Sequence, residues 1–252
     1  MRFTHLFILL YIFVFTGCKK EKLHLNKIEG QIITISDSLT TNIDIESYIK
    51  PYRNHIEKDL DSVLAYAAET YSKSDGNFNT AIGNFMADAV YLQANPIFKR
   101  RTGKDISMVL LNHGGIRSIL PKGPITKRTA YEIMPFENSI VVVALKTAQI
   151  HELTHYLSTS KKAHPISGLS LTLNMDNKII DTKINQKHIE PNKTYYVATS
   201  DYLFNGGDNM TFFKTNDSLY ALNYKIRNSL IDRFTKVDTI KPVRDNRFTQ
   251  IQ

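Results

Sequence analysis

A chain of 252 residues, 42% hydrophobic and 22% charged, is too apolar to be disordered and long enough to bury a full core. Its formal net charge of +8 contains no run of five basic residues and no aromatic–basic interleave, which excludes an obvious nucleic-acid groove and reads as dispersed surface lysine. A single cysteine, Cys18, excludes an intrachain disulfide.

In chain order, residues 1–17 read as a targeting segment. Arg2 supplies positive charge, Leu6 to Phe15 is apolar and too short to span a bilayer unaided, and Thr16-Gly17 precede Cys18. That is the pattern of a bacterial lipoprotein signal peptide, with Cys18 as the lipidated residue, although Phe15 is bulkier than the residue usual there. The expectation is an exported, membrane-anchored protein of the cell envelope, tethered through residues 18–27 to a domain over 28–252.

Within that domain Ile28 to Ile35 alternates like a strand. Ile43 to Asp61 has helical spacing interrupted by Pro51, and Leu64 to Tyr71 reads as a strand. Thr80 to Phe98 is the strongest helix, capped by Asn79 or Thr80, with Pro96 near its end. Met108 to Leu111 and Ser139 to Leu145 read as buried strands, and Thr147 to Leu157 as a helix. Leu169 to Leu173 and Lys178 to Ile184 read as strands joined at Asp176-Asn177, and Tyr195 to Thr199 as another. Asp217 to Phe234 is expected as a final helix, with a strand near Phe248. The interleaving lacks a βαβ rhythm, so the expected class is α+β, with mixed, partly antiparallel sheets and packed helices.

Two loops carry the chemistry. Asn112-His113-Gly114-Gly115-Ile116-Arg117 follows one strand, and Tyr202-Leu203-Phe204-Asn205-Gly206-Gly207-Asp208 follows another. Tandem glycines permit positive φ and close approach of a ligand to the backbone. Each loop mouth then offers an amide and one charge, which suits a polar, phosphate-bearing small molecule. Either turn alone is equally well explained as an ordinary strand-ending turn. Between them, Met134-Pro135-Phe136-Glu137-Asn138 places an aromatic on a Pro-fixed loop.

Together with Gly83-Asn84-Phe85-Met86-Ala87-Asp88-Ala89, these segments resemble the C-terminal domain of the 5'-nucleotidase family, in the family's order and over about residues 40 to 250. The resemblance implies that Phe136 and Tyr202 sandwich a nucleobase, Asn112 bonds the base edge, Arg117 clamps phosphate, and Asp208 accepts from ribose hydroxyls. Gly114, Gly115, Gly206 and Gly207 are the matching loop glycines. His113 departs from the family's first loop glycine. Ala81 stands where the family often carries a phosphate-directed arginine. The family's hydrolytic chemistry belongs to a metallophosphatase domain whose metal-binding motifs do not occur in this sequence, so neither a cofactor nor a catalytic residue is expected in this chain. The resemblance therefore implies the nucleotide-binding, substrate-specificity half of a split 5'-nucleotidase. Its partner would be a separately encoded metallophosphatase holding divalent metals. The alternative is a non-catalytic periplasmic nucleoside or nucleotide receptor.

A third reading comes from His151-Glu152-Leu153-Thr154-His155, the H-E-x-x-H spacing of zinc peptidases. A third ligand would have to come from residues such as His164, His188 or Glu190. The competing reading is an ordinary surface helix that buries Ile150, Leu153 and Leu157.

Overall fold

The computed structural model describes residues 23–251. The segment expected to be a signal peptide, and Cys18, lie outside these described residues. The chain divides into two units between Tyr48 and Ile49. In the first, the described residues before the helix α1 (Ile43–Leu60) are exposed and form no helix or strand, with one turn closed by Leu39 N–H on the Ser36 carbonyl. The strand expected from Ile28 to Ile35 does not form. Alternation there has no sheet to join, and an isolated strand cannot satisfy its backbone. Among the described residues no helix is long and apolar enough to cross a membrane.

The second unit is built on a five-stranded sheet in the order β10 (Ser218–Lys225), β4 (Ser139–Lys146), β9 (Thr194–Ser200), β2 (Met108–Leu110) and β5 (Ile166–Ser167). Only β2 and β9 run parallel; the other neighbours are antiparallel. Period-two alternation sends side chains of one strand to opposite faces. In β4, Ile140 and Val142 enter one core, while Val141, Val143 and Leu145 enter the other. The first core is closed by α2 (Ala81–Thr102) and α6 (Ile226–Thr235), through residues such as Met86, Val90, Leu230 and Phe234. The second is closed by α4 (Thr147–Ser160) and by the sheet β12 (Phe248–Gln250), β6 (Leu169–Leu173), β7 (Ile179–Ile184), β8 (Lys187–His188). A small sheet orders β11 (Thr239–Ile240), β1 (Val63–Ala67) and β3 (Gly123–Thr126). This is the mixed, partly antiparallel α and β architecture expected from the sequence.

Helix α2 starts where its cap predicts, with the Thr80 hydroxyl accepting from Gly83 N–H. It runs through Pro96 and stops at Gly103, whose φ of 73° is left-handed. Tertiary contacts hold the turn beyond the proline. Asn95 Oδ1 accepts from Ile106 N–H at 2.7 Å, and the buried Phe98 ring meets Tyr196 and Tyr220. Arg247 ties the C-terminal segment to α2. Its two terminal nitrogens donate to the two oxygens of Asp88 at 2.9 and 3.0 Å, and one of them also donates to the Ile166 carbonyl at 2.8 Å.

The helix expected over Asp217 to Phe234 is a strand followed by a helix. Leu219, Leu222, Ile226 and Leu230 fit helical spacing, but Ser218 to Ala221 pair with Ala144 to Val141, and that pairing wins. Among the elements without a clear sequence signal are β3 and the helix α3 (Lys127–Ile133), which follows it. The Thr126 hydroxyl caps α3 by accepting from Thr129 N–H.

Candidate functional site

The sheet topology gathers the three predicted segments. β2 and β9 are parallel neighbours, with Val109 opposite Ala198, so the segments that leave their C-terminal ends, the second starting with the short helix α5 (Asp201–Phe204), emerge side by side. β4 runs antiparallel to β9 with Ile140 opposite Ser200, so its entry loop, carrying Phe136, reaches the same edge. Ligands in open α/β sheets characteristically bind beyond the carboxyl ends of parallel strands.

The three loops enclose a cleft of about 280 Å³, near the lower end of the size range of small-molecule pockets. Asn112, Arg117, Phe136, Tyr202 and Asp208 all line it, together with Gly114 and Gly115. Phe136 and Tyr202 are 40% and 43% exposed, so both rings present faces that the core does not use. An exposed aromatic pair lining one cleft is suited to a planar ring system.

Asp208 is the hub of the polar wall. Asn112 Nδ2 donates to Asp208 Oδ2 at 3.0 Å across 96 positions of sequence, and Tyr202 Oη donates to Oδ1 at 3.1 Å. Tyr156 Oη donates to the Asp208 backbone carbonyl at 2.9 Å. Asp208 holds φ 51°, a left-handed conformation that a non-glycine residue keeps only when its surroundings fix it. These three hydrogen bonds supply that fixing. Arg117 is exposed; its Nη1 donates to the Gly114 carbonyl at 3.3 Å, and its guanidinium carbon lies 5.8 Å from the Phe136 ring centroid.

Few of the loop glycines use the positive φ that they permit. Of the four, only Gly206 is left-handed, at φ 94°. Gly207 is required by space: a Cβ there would lie 2.4 Å from Cε1 of Tyr202. At Gly115 a Cβ would lie 2.9 Å from the Asn112 side-chain oxygen.

His113 sits in a 3₁₀ turn over His113–Gly115, where no positive φ is needed. Its backbone N–H donates to His164 Nδ1 at 3.3 Å, and its own Nδ1 lies 3.2 Å from the Ala163 carbonyl. His164 is 2% exposed and its Nε2 has no hydrogen-bond partner among the described residues. Burial pushes its imidazole down to about 4, so the ring is neutral and its Nδ1 remains an acceptor for the loop.

Sequence reasoning assigned no role to Asn138, which lines the cleft, or to Tyr156, which reaches Asp208 from α4. Asn138 lay within the quoted loop motif. Tyr156 was hidden in the segment read for zinc chemistry. That segment, α4, buries Ile150, Leu153 and Leu157 and exposes His151, Glu152 and His155. Among the described residues no group of three histidine, cysteine, aspartate or glutamate side chains could hold a metal ion, so His151 and His155 have no third ligand there.

Comparison with known proteins agrees with this fold. The family model described as 5'-nucleotidase, C-terminal domain, matches residues 59–215. The chain is 29% identical over 218 residues to the cell wall protein Lmo0130 of Listeria monocytogenes, covering 77% of this chain and 27% of that protein. It is 27% identical over 212 residues to the trifunctional nucleotide phosphoesterase protein YfkN of Bacillus subtilis, covering 77% of this chain and 14% of that one. The chain thus spans about a quarter or less of the length of these relatives. Among solved structures, the 5'-nucleotidase precursor from Thermus thermophilus shares the fold, with a TM-score of 0.68 at 22% identity over 82% of this chain and 43% of that one. The match over more than half of the sequence places the chain in the 5'-nucleotidase C-terminal domain family.

Proposed function

We propose that this chain is the nucleotide-binding, substrate-specificity half of a split 5'-nucleotidase, anchored to the bacterial envelope through a lipid on Cys18. The observation that carries the reading is the convergence of Phe136, Tyr202, Asn112, Arg117 and Asp208 on one cleft. The two rings take the base, Asn112 reads its edge, and Asp208 accepts from the ribose once its present donors exchange for hydroxyls. Arg117 holds the phosphate toward the metals of a separately encoded metallophosphatase, which supplies the hydrolytic water. A relative named as a nucleotide phosphoesterase and a structural neighbour named as a 5'-nucleotidase support the substrate class.

The test is turnover. The rigorously purified chain with added divalent metal hydrolyses no nucleotide, and adding a metallophosphatase encoded beside its gene raises nucleotide hydrolysis above that enzyme's own rate. Robust hydrolysis by the chain alone sinks the split arrangement. Anchoring has its own test: Cys18→Ser moves the protein from membranes to the soluble fraction, and retention after a high-salt wash contradicts lipidation.

One observation favours a second reading, a non-catalytic nucleoside receptor. Arg117 is the single cationic side chain lining the cleft among the described residues, which gives a phosphate little to hold. Equal affinity for a nucleoside and its monophosphate would select this reading.

A further inference from the structure

The loop that carries Phe136 is gripped from behind. It connects the end of α3 to β4, and its own residues Pro135, Phe136 and Glu137 are exposed. Such a segment would be expected to wander, and an aromatic ring on a wandering loop makes a poor wall for a planar ligand.

Three consecutive residues at the junction of β10 and α6 prevent this. Ile226 N–H donates to the Asn138 carbonyl at 3.1 Å. Lys225 Nζ donates to the Glu137 carboxylate. Arg227 makes the central grip: its Nη1 donates to the Pro135 carbonyl at 3.2 Å and the Phe136 carbonyl at 3.4 Å, while its Nη2 donates to the Glu137 carboxylate. The Arg227 side chain is 4% exposed, and its guanidinium carbon lies 4.0 Å from the centroid of the Tyr131 ring on α3.

A buried guanidinium is costly to desolvate unless its donors are used. Here the planar fork spends both terminal nitrogens on one three-residue stretch and Tyr131 covers its face, so that among the described residues only its Nε is left without a partner. A lysine could reach one of these acceptors but not all of them, because an ammonium is a point charge without the fork. Arg227 does not line the cleft, so whatever it contributes to a ligand passes through Phe136.

We infer that Arg227 is a positioning residue for base recognition, holding the Pro135–Glu137 backbone so that the Phe136 ring is presented to a planar base before the ligand arrives. The inference rests on the nucleotide reading given above. It assigns part of the affinity for base-bearing ligands to a side chain outside the cleft. The gain is preorganisation: the ordering of the loop is already complete when the base binds.

The chain contains no tryptophan, which makes a direct test available. Phe136→Trp and, separately, Tyr202→Trp each install a sole tryptophan on one wall of the ligand-free cleft. Adding Arg227→Lys raises acrylamide quenching and lowers anisotropy at position 136 while leaving position 202 unchanged. In the chain with both native rings, Arg227→Lys weakens adenosine and AMP together by about tenfold, so their affinity ratio is preserved. Circular dichroism checks that the fold persists. If Arg227→Lys does not fold, Tyr131→Leu removes the stacking face instead and gives the same signs. Unchanged quenching at position 136 together with unchanged adenosine affinity overturns the inference. So does a loss confined to AMP, because that would put Arg227 at the phosphate. Absence of nucleoside binding by the native chain would defeat the nucleotide reading, and the quenching comparison at the two walls would still decide whether Arg227 holds the loop.

Discussion

The Tyr202 ring lies directly over Gly207, so close that a Cβ added to the glycine would fall 2.4 Å from Cε1. The ring's position is therefore set by an absent side chain five residues later. Gly207→Ala forces the ring off its seat. Because Tyr202 is exposed, it can swing outward with little cost to the core, so the loss appears in binding. Nucleoside affinity falls by about 1–3 kcal/mol, the range for losing a base-stacking aromatic, with the melting temperature nearly unchanged. Calorimetric titration with adenosine, paired with thermal denaturation, reads both. A large fall in stability with binding intact would contradict this account of the glycine.

On the proposed nucleotide reading, Arg117 is the residue that separates nucleotides from nucleosides. Removing it forfeits a charge-assisted contact to phosphate, of about 1.5–3 kcal/mol, and an exposed cation–π contact with Phe136, of only about 0.5–1 kcal/mol. Arg117→Ala is thus expected to weaken AMP strongly and adenosine slightly. Equal losses for the two ligands would remove Arg117 from the phosphate.

His164 makes stability depend on pH. Its folded-state value of about 4 lies below the ordinary 6.5, so the unfolded chain binds the proton more readily. The stabilisation is complete above pH 6.5 and is lost as pH falls toward 4, up to about 3 kcal/mol in all. His164→Gln keeps an acceptor for His113 N–H but does not titrate. Urea unfolding at about pH 7, above that window, and at about pH 4.5, near its lower end, should show a smaller pH-dependent loss for the variant than for the parent. Identical losses would mean that carboxylates alone carry the acid response.

Much of the site was legible because its chemistry sits in short contiguous segments, each following or preceding a run of buried apolar residues. Asn112, Arg117, Phe136, Tyr202 and Asp208 could be read off those segments. Their convergence could not, since it depends on β2 and β9 being parallel neighbours and β4 antiparallel to β9. Residues that act from outside the segments left no local mark. Tyr156 reaches Asp208 across 52 positions, and Arg227 reaches Pro135 across 92. The misread elements fail for the same reason. Residues 218–221 fit a helix until β4 offers them a ladder, and residues 28–35 alternate without a sheet to join. The helix expected to end at Phe98, just beyond Pro96, runs on to Thr102, where the packing of Phe98 holds it.

The central claim is that Phe136 and Tyr202 are the two walls of a single base site. Calorimetric titration of adenosine into the native chain, Phe136→Ala and Tyr202→Ala tests it most directly. The expected result is saturable one-to-one binding by the native chain, weakened by about 1–3 kcal/mol in each variant, with the double variant losing less than the sum because either wall alone cannot sandwich a base. Adenosine binding that survives both truncations, or no binding by the native chain, would contradict it.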